Sequence, residues 1–299
     1  MTRTSITLPQ QRRFGETSRP GNWWVEPALV LFGLLAFIVY STWGAMQGEH
    51  YWYAGEDDAG YQSQYLSPFY SPTLFRVTHL DDGTEIPGVA PLHHTWFGEW
   101  PDWLRKIWPA FIPLTPALLI LWAPGLFRFT CYYYRGAYYK AFWGDPPACA
   151  VGEPRKSYWG ERWLPLVLHN VHRYVLYIAL AFIFILAYDA ILAFTFVQVD
   201  DAGHITAKRF GIGVGSIVLT LNVFFLAGYT FGCHSLRHLV GGIRDSLSAN
   251  RVQYSAYKCV TCLNRRHPRW AWFSLIWVGF SDIYVRLCSM GIWTDWRIL

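Results

Sequence analysis

The stretch WVEPALVLFGLLAFIVYSTWGAM, residues 24–46, contains one acidic residue, Glu26, and no basic residue. A helix needs about 20 predominantly apolar residues to cross the hydrocarbon core of a bilayer. Four further runs approach this length and character, at roughly residues 107–131, 164–197, 210–234 and 270–292. The chain is therefore expected to be an all-α integral membrane protein, built as a bundle of five transmembrane helices.

The composition of the whole chain agrees with a membrane protein. Of its 299 residues, 53% are hydrophobic and only 15% are charged, whereas about a quarter of the residues in a soluble domain are charged. The net charge of +5 could indicate nucleic-acid binding, but the basic residues follow the membrane topology instead. Because the basic residues follow the topology, we do not expect a nucleic-acid partner. The first 22 residues are polar, so we expect no signal peptide.

Charge alternates between the segments that connect the five runs. The N-terminal tail, residues 1–22, is basic, and so are the connections at 128–162 and 237–269. Segment 47–104 instead holds nine acidic residues and one Arg. Because cytoplasmic loops carry an excess of Lys and Arg, we predict a cytoplasmic N-terminus and an extracytoplasmic C-terminus. Residues 23–299 then form the membrane domain, in which 47–104 is an ordered extracytoplasmic cap.

Cysteine and histidine side chains recur at one depth near the cytoplasmic ends of three runs. At about 1.5 Å of rise per helical residue, the residues that reach this depth are Cys131, His172, Cys233 and His234, with His169 and His238 one turn nearer to the cytoplasm. Taken singly, each could be an interfacial histidine or a small buried cysteine. Polar groups at membrane depth are costly and tend to be functional, so the shared layer predicts a redox or metal cofactor.

Three kinds of cofactor suit this layer. Two histidines on facing helices could ligate a b-type haem, and mixed Cys and His ligands suit structural zinc. Two cysteines on one iron and two histidines on the other would form a Rieske-type [2Fe–2S] centre. Further thiols, Cys149 and the CVTC pair Cys259 and Cys262, lie in the flanking connections and could fold back onto the layer. The cysteines favour iron–sulfur over haem, but spacing leaves all three alternatives open.

Other polar residues in the apolar runs have two interpretations each. Asp282 and Arg286, four residues apart, predict an ion pair within one helix or, alternatively, a proton path to a quinone. Asp189 is equally ambiguous. Arg173, Tyr174 and Arg237 flank the Cys/His layer and are candidates to bind a quinone carbonyl, although interfacial anchoring explains Tyr as well. His93 and His94 in the cap are weaker candidates for a metal.

Four stretches carry a resemblance to a known family: TCYYYRGAYYKAFWGDPPACAVGEPR (130–155), HNVHRY (169–174), GCHSLRHLVGG (232–242) and WAWFSLIWVGFSDIYVRL (270–287). They resemble the large five-helix membrane anchor of actinobacterial-type succinate dehydrogenases, and the resemblance covers most of the chain from 23 to 297. It implies a subunit of that enzyme in a bacterial plasma membrane, with the flavin site on a partner chain. Electrons would pass from a flavoprotein subunit and an iron–sulfur subunit, through a membrane-embedded Rieske-type cluster, to menaquinone; a further small membrane subunit is allowed.

The resemblance also implies cluster ligands. We favour Cys131 and Cys149 as thiolates with His172 and His238 as imidazoles, and Cys233 and His234 are close substitutes. Cys259 and Cys262 have no place in the resembled pattern and stay an alternative thiolate pair. Two further hypotheses remain open, a quinone-reducing anchor with haem b and a non-enzymatic membrane protein with structural zinc.

Overall fold

The computed structural model describes residues 13–17, 21–79, 83–154, 166–200, 204–242 and 250–299. Its helices are α1 (Val25–Gln47), α2 (Asp102–Ile107), α3 (Ala117–Ile120), α4 (Trp122–Thr130), α5 (Tyr132–Tyr138), α6 (His172–Leu192), α7 (Val214–Phe231), α8 (His234–Gly241), α9 (Arg251–Asn264) and α10 (His267–Ser289). Its strands are β1 (Trp52–Glu56), β2 (Gln62–Leu66), β3 (Thr195–Val199) and β4 (Ile205–Phe210). Short 3₁₀ segments cover Leu92–His94 and Leu166–Val171, and a π-helical turn covers Tyr139–Trp143.

Within the described residues, four helical spans are long and apolar enough to cross a membrane. They are Val25–Gln47, Val167–Leu192, Val214–Phe231 and His267–Ser289, which confirms four of the five predicted runs as helices. Helix α7 packs against both α6 and α10, α10 also packs against α1, and α4 packs against α6. Large apolar side chains remain exposed on the outside of the bundle, including Phe32, Val39 and Phe184. A helix that is apolar on its outer face as well as its inner face is typical of a membrane span.

The prediction of one continuous helix over residues 107–131 is wrong. Helix α2 ends at Ile107, and helical structure resumes only at Ala117. The intervening stretch contains three prolines, Pro109, Pro113 and Pro116. Proline lacks the N–H that a helix interior needs, and its ring clashes with the preceding turn. These prolines therefore shorten the helical part of the run to α3 and α4.

The broken run nevertheless follows α1 along its length in the opposite direction. At one end, Thr115 Oγ1 donates a hydrogen bond of 2.7 Å to the carbonyl oxygen of Ala45, near the end of α1. At the other end, Tyr133 accepts a hydrogen bond of 2.6 Å from the indole of Trp272, and that indole packs against Gly33. Residues 115–133 thus extend over most of the length of α1.

The all-α prediction is incomplete, because the structure also contains a small antiparallel sheet in the order β1-β2-β3-β4. The β1–β2 hairpin lies in the predicted cap, and β3 and β4 connect α6 to α7. The third run was expected to stay helical to residue 197, but its end, Thr195–Val199 (TFVQV), is rich in β-branched and aromatic residues, which favour extended backbone. Pairing with β4 therefore ends α6 at Leu192.

The buried pair of Asp282 and Arg286 in α10 ties the bundle to the segment that follows α1. The predicted ion pair is confirmed, with Arg286 Nε 3.4 Å from Asp282 Oδ2. Arg286 also donates to the carbonyl oxygens of Glu49 at 2.8 Å and Gly44 at 3.1 Å. Tyr40 donates to Asp282 at 2.5 Å. Because the last carbonyls of a helix lack intrahelical partners, Arg286 satisfies acceptors at the end of α1.

Candidate metal centre

Two cysteines occupy equivalent positions where a helix is interrupted. Cys131 separates α4 from α5, and Cys233 lies at the junction of α7 and α8. Both have extended backbone, with ψ of 132° and 140°, so each is the N-cap residue of the following short helix. Their relative exposures are only 2% and 1%. The interruptions thus place two thiols at helix N-termini, where the helix dipole favours negative charge.

Two histidines face these thiols, each from the first residue of a long helix. His172 begins α6 and His267 begins α10. His172 Nε2 lies 3.1 Å from Cys233 Sγ, and His267 Nε2 lies 3.4 Å from Cys131 Sγ. Both imidazoles are buried. Four elements that are distant in sequence therefore bring two sulfur and two nitrogen donors to one end of the bundle.

Neighbouring side chains fix the orientation of both imidazoles. A hydrogen bond of 2.7 Å joins His172 Nδ1 to Thr130 Oγ1, which leaves Nε2 pointing at the sulfur. The ring of Phe127 stacks on His172 at a centroid distance of 4.7 Å. Tyr229 stacks on His267 at 5.0 Å. Hydrogen bonding of the second ring nitrogen is the usual way in which proteins orient a ligating histidine.

Burial dominates the electrostatic environment of the Cys233 sulfur. Burial raises the pKa of the Cys233 thiol to about 11, and the nearby Cys131 contributes in the same direction. The backbone amides of Ser235 and Leu236 act in the opposite direction, because they hydrogen-bond to the sulfur. Without a cation the site thus holds a neutral thiol, and a bound metal would favour the thiolate.

The donors are arranged as two Cys–His pairs. Among the described residues, no group of three or more Cys, His, Asp or Glu side chains is close enough to hold a single metal ion. Electrostatic interactions nevertheless couple Cys131 to Cys233 and His172 to His267, so the two pairs are neighbours. Two thiols and two imidazoles that do not gather around one point match the donor set of a two-iron centre, in which both thiolates bind one iron and both imidazoles bind the other.

The other predicted ligands do not face the two buried thiols, although His169 and His234 are close enough to interact electrostatically with His172. Cys149, Cys259 and Cys262 are exposed, the last two on α9. His234 and His238 are exposed on α8, with their Nε2 atoms 3.0 Å apart. The ring of Tyr132 contacts both His234 and His172, at centroid distances of 5.6 and 6.3 Å, and so lies between them. His169 is buried and bonded to Tyr138.

The predicted quinone-binding residues lie on two helices. Arg173 and Tyr174 are exposed on the first turn of α6, where the guanidinium lies 5.9 Å from the ring centroid. Arg237 lies on α8 and donates to two residues of α9, Tyr257 at 2.8 Å and Thr261 at 3.2 Å.

Sequence reasoning missed His267. The depth comparison used three runs and omitted the fifth, whose first helical residue is His267 at the same end of the bundle. The signal was available in RRHPRWAW, residues 265–272, because proline after a polar residue often begins a helix. Placing α10 two or three residues earlier would have put this imidazole at the depth of Cys131.

A cavity of about 410 Å³ extends from the Cys/His cluster towards the cap. Its walls are mostly apolar and include Phe37, Phe69, Phe182, Leu226 and Val278. At the end near the cluster, Phe127, Arg128 and Tyr229 line it. The guanidinium of Arg128 lies 4.8 Å from the ring centroid of Tyr229. This central cavity and the cluster thus share Phe127 and Tyr229 as a common wall.

Comparisons with known proteins agree with this architecture. A family model described as actinobacterial succinate dehydrogenase subunit SdhC matches residues 25–291. Among solved structures, a chain of the Mycobacterium smegmatis Sdh1 complex in the apo form is similar, with 38% sequence identity, a TM-score of 0.75 and coverage of 99% of both chains. No curated protein sequence matches the chain. Because the family match spans most of its length, the protein belongs to the actinobacterial SdhC family and is a membrane subunit of a succinate dehydrogenase complex.

Proposed function

We propose that this subunit conducts electrons from the soluble part of succinate dehydrogenase to a quinone, through a Rieske-type [2Fe–2S] cluster held by Cys131, Cys233, His172 and His267. The observation that carries the proposal is the burial of two thiols and two imidazoles in facing pairs at one end of the bundle. When bound, such a cluster supplies one-electron redox chemistry at a potential that imidazole ligation raises above that of an all-thiolate centre.

The donor set proposed here differs from the set favoured by sequence alone. Cys233 and His267 replace Cys149 and His238, because the first two are buried beside Cys131 and His172 whereas the last two are exposed. Two thiols adjacent to both imidazoles also support a cluster over haem b, which would need the imidazoles alone. Four mixed donors around one ion would have supported structural zinc, but among the described residues no three such donors come together around one point.

The surrounding residues have definable roles in the proposed centre. Thr130 holds the His172 ring through Nδ1, which would leave Nε2 free to bind the cluster. The amides of Ser235 and Leu236 would donate to the thiolate of Cys233, and hydrogen bonds to cluster sulfur raise the reduction potential. Phe127 and Tyr229 cover the two rings and exclude water.

We place the quinone head group in the central cavity. Its apolar walls suit an isoprenoid quinone, and it borders the proposed cluster through Phe127 and Tyr229. Arg128 lines the end of this cavity near the cluster and supplies a cationic donor there. Its guanidinium donates to Tyr134 at 2.9 Å and to Ser274 at 3.1 Å. Menaquinone is the quinone that the family resemblance implies. The involvement of Arg173, Tyr174 and Arg237 stays a prediction.

The proposed topology has five membrane crossings, with the cluster at the cytoplasmic end of the bundle. Four are the helical spans, and the fifth is the broken run 115–131, which follows α1 along most of its length. The N-terminus is then cytoplasmic and the sheet extracytoplasmic. Flavoprotein and iron–sulfur subunits would dock at the cytoplasmic end. The similarity to a chain of the Mycobacterium smegmatis Sdh1 complex supports assembly with partner subunits.

The test is spectroscopic and uses the whole complex purified from membranes. Iron, acid-labile sulfide and haem are measured, and electron paramagnetic resonance is recorded after reduction. The expected result is a Rieske-type signal in the native complex that is lost in Cys131→Ser and in His267→Gln. Because the flavin site lies on a partner chain, succinate oxidation with an artificial dye should persist in both variants, and co-purification of this activity with the tagged membrane subunit reports that the complex is assembled.

Matched controls carry the same substitutions at exposed positions. Cys149→Ser and His238→Gln should keep the Rieske-type signal and the reduction of quinone. Loss of the signal in these two variants with retention in Cys131→Ser and His267→Gln would overturn the ligand set. A haem Soret band or stoichiometric zinc without a Rieske-type signal would overturn the cluster itself.

A further inference from the structure

A second cavity, of about 720 Å³, lies near the opposite end of the bundle from the Cys/His cluster. It is enclosed by the outer turns of α6, the four-stranded sheet and the cap segment that follows β2. Trp52, Leu66, Val197, Ile185 and Leu192 give it mostly apolar walls. The central cavity is lined by other residues of α6, namely Ala179, Phe182, Ile183 and Leu186. We call this second site the cap cavity.

Two polar side chains, Asp189 and His94, face each other in the cap cavity. Asp189 projects from α6 with 12% of its side chain exposed and accepts a hydrogen bond from Ser71. His94 Nε2 lies 3.7 Å from Asp189 Oδ1. The imidazole of His94 also packs on Trp52 at a centroid distance of 4.6 Å. Burial lowers the pKa of His94 to about 4, so the ring is neutral near pH 7 and keeps an N–H to donate.

The cap cavity borders the lipid-facing surface of the bundle. Phe184 and Tyr188, which line it, are 69% and 60% exposed, and both lie in the membrane span Val167–Leu192. Thr95 and Lys208 contribute polar groups from the cap segment and β4. A lipid-soluble molecule could therefore place its tail along the outside of α6 and its head group beside His94 and Asp189.

The chemistry of the lining selects among lipid-soluble ligands. A phospholipid head group needs cationic partners for its phosphate, but Lys208 is the single Lys or Arg among the described lining residues, and the Asp189 carboxyl opposes an anion. A quinone head group is neutral and planar. It stacks on aromatic rings, its carbonyl oxygens accept hydrogen bonds, and its reduced form donates hydroxyl protons to acceptors such as a carboxylate.

We propose that the cap cavity is a second binding site for the isoprenoid quinone, in which His94 donates to a carbonyl oxygen and Asp189 accepts from the hydroxyl of the reduced form. The inference rests on the proposed function, since it takes the quinone to be the electron acceptor. Asp189 lies about 17 residues beyond His172 in α6, or roughly 25 Å along the helix axis. The cap site is therefore a binding site distinct from the central cavity, and we assign no electron-transfer step to it.

The experiment locates bound quinone directly. The purified complex, in nanodiscs of phosphatidylcholine, is illuminated with a photoreactive azido-naphthoquinone that carries a short isoprenoid tail, and labelled peptides are identified by mass spectrometry. Labelling is expected on two sets of peptides, one lining the central cavity and one from β1, the 91–96 segment or the end of α6. Unlabelled menaquinone should compete at both. His94→Leu and Asp189→Leu, which remove the donor and the acceptor, should each reduce labelling at the cap peptides about tenfold, as expected for the loss of one hydrogen bond to a buried ligand.

The control variant is His204→Leu, which makes the same change at an exposed histidine in the β3–β4 hairpin and should leave both sets labelled. Leu192→Trp, which fills the cap cavity without altering its polar groups, should abolish cap labelling. This variant tests the proposal if either polar variant fails to assemble. Labelling confined to the central cavity, cap labelling that survives all three changes, or displacement of the cap label by phosphatidylglycerol but not by menaquinone would each overturn the proposal. Absence of succinate-driven quinone reduction in the native complex would instead overturn the proposed function.

Discussion

Replacing Arg286 by Met should be among the most destabilising single changes in the bundle. Arg286 is 3% exposed and Asp282 is 0% exposed. The substitution keeps the apolar stem but removes the guanidinium. Asp282 would then be a buried carboxylate held only by the hydroxyls of Tyr40 and Ser67, and two carbonyl oxygens, those of Gly44 and Glu49, would lose their donor.

The size of the effect follows from these losses. Removing one partner of a buried ion pair costs about 3–5 kcal/mol, because the other charge stays buried. The two lost carbonyl hydrogen bonds account for about 1 kcal/mol each within that total. Asp282→Asn removes the stranded charge while its amide oxygen still accepts from Tyr40. The double variant should therefore lose only about 2 kcal/mol and be more stable than Arg286→Met alone.

Thermal unfolding of the purified complex, followed by tryptophan fluorescence at a fixed scan rate, measures this effect. A loss of about 4 kcal/mol should lower the midpoint by on the order of 10 °C. Arg76→Met is the matched control, since the side chains of its ion pair with Glu99 are 22% and 51% exposed and a solvent-accessible pair should contribute no more than about 1 kcal/mol. The reasoning is refuted if Arg286→Met unfolds like this control, or if adding Asp282→Asn lowers the midpoint further.

Two further changes test the packing around the sheet and the C-terminus. Gly215→Ala would place Cβ 2.3 Å from the ring of Tyr65 and should destabilise the protein by about 1–3 kcal/mol. The control is Gly136→Ala. A Cβ at Gly136 meets no atom within 4 Å, so this variant should unfold at the native temperature or above. Asp295→Ala removes the buried acceptor of two tyrosine hydroxyls at 2.8 and 2.7 Å; it should cost about 3 kcal/mol and speed protease release of the C-terminal residues. Equal midpoints for the two glycine variants, or a protease rate unchanged from the native protein, would contradict these expectations.

Much of the architecture is encoded locally. Apolar runs of membrane length specify four helical spans, because a backbone in lipid must satisfy its own hydrogen bonds. The alternating charge of the connections predicts orientation, and rise per residue alone predicts that Cys131, His172 and Cys233 share a depth. These quantities depend on composition and distance along one chain segment, so they can be read from a single sequence.

The sequence was less informative about the backbone conformation of two apolar segments. Thr195–Val199 continues an apolar run, and only its pairing with β4 makes it a strand. The broken run 107–131 has the composition of a span, but its prolines remove the backbone donors that a continuous helix would need. In both cases hydropathy was a correct guide to burial and a poor guide to backbone conformation.

The candidate site depended most on tertiary structure. A helical residue's depth follows from counting, but its rotation about the helix axis and the path of each loop are set by packing against other elements. Sequence alone therefore could not separate buried Cys233 from exposed Cys149, nor choose between His238 and His267. The packing of the helices decides both questions. It brings His267, the first residue of α10, beside Cys131, which lies between α4 and α5.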